Sequence, residues 1–242
     1  MVEGSEDLVS RLRATVEAGL KVALKKALPP IAPFGFEVSL FGSRYYGLAT
    51  HTSDVDMYVA GPPYVMSRVS EVLRLLGAHL EANGCAASGR NAPTLQFENK
   101  TLKWTDSITS LPVSLLLCAA EHVEEAIAAT QSLAAFFEHH TACQSAMHAL
   151  IKRLREASVL NSHGRVAVVG SSLKTAPFAI LCAGLIAADP SLDAEAAASP
   201  DRFRNMLLVA LAGFDATCLM KPAYLSKTWG SNSVYTYLVY IY

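Results

Sequence analysis

Leu8, Leu12, Val16, Leu20 and Leu24 recur every fourth residue, with Glu17, Lys21 and Lys25 off that stripe. This period predicts an amphipathic helix over residues 7–28, ended by Pro29-Pro30. An alternating run follows, with Phe36, Val38 and Leu40 set against Glu37 and Ser39, the period of a half-buried strand. Gly42-Ser43 breaks that strand, and Gly47 falls where a tight turn needs a residue without a side chain. A second strand is expected from Ser53, closed by Gly61-Pro62-Pro63. From 64 to 83 the helical period returns through Val65, Val69, Val72, Leu73, Leu76 and Leu80, and Asn83-Gly84 marks its end. Residues 94–98 and 101–105 read as strands, and the apolar run 111–118 reads as a buried strand.

Beyond residue 119 the pattern turns almost wholly helical, over roughly 121–136, 141–158, 171–188 and 201–214, with 189–200 as a linker rich in Ala, Asp, Ser and Pro. The fold class expected is therefore α+β. A first helix (1–30) is expected to pack on the helical domain, a small mixed-sheet domain to occupy 31–119, and a helical domain to occupy 120–242. Ser233–Tyr242 is dense in strand-favouring residues and would have to pair or pack.

Composition narrows the class. Of 242 residues, 52% are apolar and 17% charged, which fits a globular chain and excludes a disordered one. The formal net charge of −1 gives no bulk attraction to nucleic acid, so any RNA contact must come from a local basic patch. Cys85, Cys118, Cys143, Cys182 and Cys218 are odd in number and contain no Cys-x-x-Cys pair, an arrangement suited to a reducing compartment. The first residues carry three acids before a base, unlike a targeting peptide, and the longest apolar runs, 176–188 and 206–214, are too short to span a bilayer. A cytoplasmic protein without membrane contact is expected, a mitochondrial one less so.

The chemistry concentrates between Phe41 and Val59. The Gly42-Ser43 turn offers backbone N–H groups and a hydroxyl to one spot, as an anion cradle requires. In the strand that follows, Asp54 and Asp56 share a face, while Val55 and Met57 face the core. Two hard oxygen donors beside a phosphate cradle suit Mg2+ (or Mn2+) bound with a nucleoside triphosphate.

This succession of strand, Gly-Ser, Gly and Ser-Asp-x-Asp resembles the polymerase-beta-like nucleotidyltransferase superfamily. It is most similar to the branch of terminal uridylyltransferases and non-canonical poly(A) polymerases. The likeness runs over about 34–188, strongly at 41–59, and cannot be followed beyond about 215. It implies a nucleotidyltransferase palm domain followed by a helical domain. Asp54 and Asp56 would be the catalytic, metal-holding pair, with Gly42, Ser43, Lys152, Ser171 and Ser172 on the triphosphate. It also implies an RNA 3′ end as acceptor and leaves room for a protein partner. Two departures stand out: Glu156 replaces a second lysine, and Leu173 replaces a base-stacking tyrosine.

The resemblance also implies a third acid, which helps hold the ion that activates the attacking hydroxyl. Register places Ser114 at that position, with Asp106 and Glu98 as nearby alternatives. A neutral hydroxyl is a poor magnesium ligand and no general base at pH 7. Three functions follow as expectations: transfer of UMP or AMP to RNA 3′ ends by two-metal chemistry, a degenerate nucleotide- or RNA-complex scaffold, and small-molecule nucleotidyl transfer. His139, His140 and His148 also raise a metal reading, although neighbouring helical histidines point in different directions. Tyr45 and Tyr46 would either line the nucleotide pocket or pack against a helix.

Overall fold

The computed structural model describes residues 5–28, 36–87, 92–96, 100–156, 179–180, 182–184, 186 and 191–212. In order, the elements are α1 (Ser5–Ala27), β1 (Val38–Phe41), a 3-10 turn (Gly42–Arg44), β2 (Val55–Gly61), α2 (Pro63–Met66) and α3 (Val69–Ala82). Then follow β3 (Thr94–Gln96), β4 (Thr101–Thr105), β5 (Pro112–Ala119), α4 (Ala120–His139), α5 (Thr141–Glu156), α6 (Ser191–Ala198) and α7 (Pro200–Ala212). The fold is α+β. It divides into a sheet unit, 1–41 with 54–124, and a helical unit, 42–53 with 125–242.

The sheet unit holds five strands in the order β1-β2-β5-β4-β3. β2 and β5 run parallel, and the other neighbours are antiparallel. Alternation decides which face is covered. Val55, Met57 and Val59 of β2 are buried with Leu102, Trp104, Val113, Leu115 and Leu117, while Asp56 and Tyr58 lie on the other face, half-buried. A one-residue slip of β2 would expose three apolar side chains worth roughly 1.5–3 kcal/mol each and drive a carboxylate into the core, so the register is strongly held.

The covered face is roofed by α1 and α3. Leu12, Val16, Leu20 and Ala23 join Val72, Leu73, Leu76 and Leu80 in one core with the strands. The N-terminal helix, expected on the helical domain, belongs to the sheet unit, where its stripe covers the apolar face of the sheet. Its outer edge is fastened by Arg11, whose Nη1 and Nη2 donate to Oδ1 and Oδ2 of Asp106 at 2.9 and 2.8 Å. The single helix expected over 64–83 is interrupted: the Ser67 hydroxyl takes the Tyr64 carbonyl at 2.8 Å, and Arg68 leaves helical geometry at φ −120° before α3 begins.

In the helical unit, Leu133, Phe137, Cys143, Met147, Leu150, Ile151, Ile180, Phe203 and Leu207 form a second core. Residues 191–198, expected as part of a linker, are helical, because alanine is the strongest helix former. Ser199 then caps α7, its hydroxyl accepting from the Arg202 amide at 3.3 Å, with Pro200 at the first helical position. The strand-like 233–242 and most of 171–188 lie outside the described residues. Among the described residues, no helix is long and apolar enough to cross a membrane.

Candidate functional site

Asp56 sits near the start of β2 with its side chain on the face away from the core. The ladders set it opposite Phe41 of β1 on one side and Ser114 of β5 on the other, with Lys103 of β4 beyond Ser114. Residues in register share a face. The Ser114 hydroxyl donates to Oδ1 of Asp56 at 2.5 Å. Asp54 lies two residues earlier, at the strand's approach, and is also half-buried.

The alternatives for a third acid resolve differently. Asp106 is fully buried and fully engaged: beyond its bidentate pair with Arg11, Oδ2 accepts from the Thr109 amide and hydroxyl at 2.8 and 2.6 Å. Burial pushes its carboxyl up, but the bonds from Arg11 and Thr109 outweigh that and hold it below the usual carboxylate range. Its role is to tie the β4–β5 connection to α1. Glu98 lies outside the described residues. Among the described residues, no group of three or more His, Cys, Asp or Glu side chains is arranged to hold a metal ion. Asp54 and Asp56 supply two hard oxygen donors at the start of β2.

The Gly42–Ser53 stretch belongs to the helical unit. Gly42 opens it at φ 74° and Gly47 turns it at φ 77°, backbone conformations that other residues rarely adopt. The amides of Tyr45 and Leu48 close back onto the carbonyls of Gly42 and Ser43 at 3.0 and 2.9 Å. Downstream, Nη2 of Arg44 donates to the Ser53 carbonyl at 2.6 Å, and the Thr50 amide donates to the buried Ser53 hydroxyl at 2.9 Å. Tyr46 is buried and packs against Phe137, ring centroids 6.5 Å apart, whereas Tyr45 is exposed. Of the two tyrosines, only Tyr45 remains accessible to a ligand.

Lys152 projects from α5 and is exposed. Ser171, Ser172 and Leu173 lie outside the described residues, as does the side chain of Glu156. The histidines do separate work. His139 Nδ1 meets the Ala135 carbonyl at 2.7 Å, His140 Nδ1 meets Asp193 Oδ2 at 3.1 Å, and His148 Nε2 meets the Ala49 carbonyl at 3.0 Å. Motif reading missed Gln144, whose Nε2 donates to the Tyr46 carbonyl at 3.1 Å. The signal was present: Gln144, His148 and Lys152 are spaced by four and share one face of α5.

Residues 21–136 match the family model of the nucleotidyltransferase domain. This part of the chain is similar to nucleotidyltransferase domains. Among curated proteins no significant match is found. Solved structures similar to the chain include the RNA terminal uridylyl transferase Cid1, at 19% identity over 65% of this chain and 44% of that one, TM-score 0.46. Terminal uridylyl transferase 4 from Trypanosoma brucei, with bound UPU, is 13% identical over 77% of this chain and 56% of that one, TM-score 0.49. The polymerase core of the RNA surveillance complex TRAMP is 14% identical over 75% of this chain and 52% of that one, TM-score 0.44. The chain spans about half the length of these structures. The matched residues contain β2, which carries Asp56, and β5, which carries Ser114.

Proposed function

We propose that this nucleotidyltransferase-fold protein binds a nucleoside triphosphate with one divalent ion and serves RNA 3′ ends as a catalytically degenerate, nucleotide-binding scaffold. The observation behind this reading is the bond from Ser114 to Asp56, a neutral hydroxyl beside the carboxylate where the family resemblance expects a third acid. Asp54 and Asp56 would hold Mg2+ or Mn2+. When bound, that ion would supply Lewis-acid charge to the phosphates. Gly42, Ser43, Lys152, Ser171 and Ser172 are proposed to bind the phosphate chain, through backbone amides, hydroxyls and an ammonium group. Ser114 can neither take the proton of an attacking hydroxyl at pH 7 nor add charge for a second ion. The lost stabilisation corresponds to a rate deficit on the order of a thousandfold. Cys85, Cys118, Cys143 and Cys182 are free thiols among the described residues, in keeping with a reducing, cytoplasmic site of action, and a protein partner is proposed alongside.

A second reading, transfer of UMP or AMP to RNA, is favoured by the retained pair of Asp56 on β2 and Asp54 just before it. In that case an acid from another chain or from beyond the described residues would complete the site. The discriminating experiment incubates the purified protein with a labelled RNA primer, Mg2+ or Mn2+, and UTP or ATP, with nucleotide affinity measured in parallel. Divalent-dependent nucleotide binding without extension supports the scaffold. Extension that Asp56→Ala abolishes overturns it.

A further inference from the structure

The turn that carries Gly42 and Ser43 is held by residues outside its own motif. Leu48 is fully buried and Tyr46 nearly so, both in the core of the helical unit, so the turn's apolar side chains are anchored among α4 and α5. Its backbone is anchored separately. Gln144 Nε2 donates to the Tyr46 carbonyl at 3.1 Å, and His148 meets the Ala49 carbonyl at 3.0 Å. A carbonyl only accepts, so Nε2 of His148 carries the proton. Between the two anchors, Gly47 presses against the amide: a Cβ there would lie 2.2 Å from Gln144 Nε2.

Gln144 and His148 are one helical turn apart, and the next residue on that face is Lys152. The face that grips the turn therefore continues to the one cation expected to bind phosphate. Neither anchor has a side chain that the phosphate reading itself calls for, yet both fix the backbone that the reading depends on.

We propose that Gln144 and His148 are positioning residues for phosphate recognition. They clamp the Gly42–Ser53 turn to the α5 face that bears Lys152. In doing so they set the separation between the turn's hydroxyl and amide donors and the ammonium group, and hence the grip on the phosphate chain of a nucleoside triphosphate. This rests on the nucleotide-binding reading above. It differs from that reading in predicting that two side chains which do not touch the ligand control its affinity.

The test is calorimetric titration of the full chain with inorganic tripolyphosphate in EDTA and with magnesium UTP. His148→Ala and Gln144→Glu should each weaken tripolyphosphate binding about tenfold, the equivalent of one net hydrogen bond. His148→Gln keeps an N–H donor and should stay within about twofold of wild type. Gly47→Ala should reproduce Gln144→Glu, because its methyl displaces the amide. Leu73→Ala removes core packing in α3, in the sheet unit's core and not the one that holds Tyr46 and Leu48. It should lower Tm and leave Kd unchanged, separating positioning from general stability. Wild-type Kd in His148→Ala and Gln144→Glu overturns the proposal, as does an equal loss in Leu73→Ala. A wild-type protein that binds neither ligand instead removes the nucleotide reading and this proposal with it.

Discussion

Ser114 and Asp56 face each other across the parallel ladder of β2 and β5, and the serine hydroxyl donates to the aspartate at 2.5 Å. A carboxylate in place of that hydroxyl would stand directly beside another carboxylate, an arrangement that costs stability unless a cation or a shared proton lies between them. Ser114→Asp is therefore expected to lower Tm in EDTA and to recover it with Mn2+, while the number of Mn2+ ions bound with nucleotide rises from one to two. Primer extension should rise on the order of a thousandfold. Electron paramagnetic resonance counting of bound Mn2+ gives the ion number independently of activity. Two ions already bound to wild type would refute the one-ion site.

Removing a carboxylate tests the other half of the same pair. Asp56→Ala should weaken magnesium-dependent UTP or ATP binding at least about tenfold, or ~1.4 kcal/mol. Tripolyphosphate binding measured in EDTA should change little. An equal loss in both titrations would mean that Asp56 supports the fold and not an ion.

Arg11 and Asp106 form a bidentate pair that leaves the aspartate side chain 1% exposed. Arg11→Ala strands a buried carboxylate and should cost about 3 kcal/mol in urea unfolding. Arg11→Lys should fall between the variant and wild type, since an ammonium cannot reproduce the planar fork. A loss below about 0.5 kcal/mol would class the pair with ordinary surface ion pairs.

The same pair sets an acid limit. Asp106 titrates below its ordinary value of 3.8, because the Arg11 and Thr109 bonds outweigh burial. A depressed carboxyl stabilises the fold fully above its unfolded pKa and loses that contribution as pH falls through its folded pKa. The stability of the sheet unit should thus be level with respect to this group above about pH 5 and decline below about pH 4. In Asp106→Asn that part of the decline should be missing from a pH series of urea midpoints.

Leu48 precedes the carboxylates in sequence yet is buried in the helical core. Leu48→Ala should cost about 2–5 kcal/mol. Hydrogen exchange should show the largest loss of protection in α4 and α5 and not in β2 or β5. The reverse pattern would reassign the turn to the sheet unit.

What the sequence determined is local. The alternation of Val55, Met57 and Val59 turns Asp56 away from the core, because a strand's side chains repeat every two residues. The same reasoning along 111–118 puts Ser114 on the matching face, whereas the expectation of a third acid there came from the family resemblance and not from spacing. The stripe of α1 likewise fixed which of its faces is buried. It did not say against what: Arg11 reaches Asp106 across 95 residues of chain, and that contact belongs to the sheet unit. His148 and Ala49 are 99 residues apart, so the motif turn gave no sign that a distant helix holds it. Residues 191–198 read as a linker because their composition lacks an apolar stripe, yet alanine's helix preference and the burial of Ala196 make them α6. Periodicity and motif spacing are properties of neighbours along the chain. The partner of a buried face, and which of two cores closes over a turn, are settled only when distant segments compete for the same apolar surface.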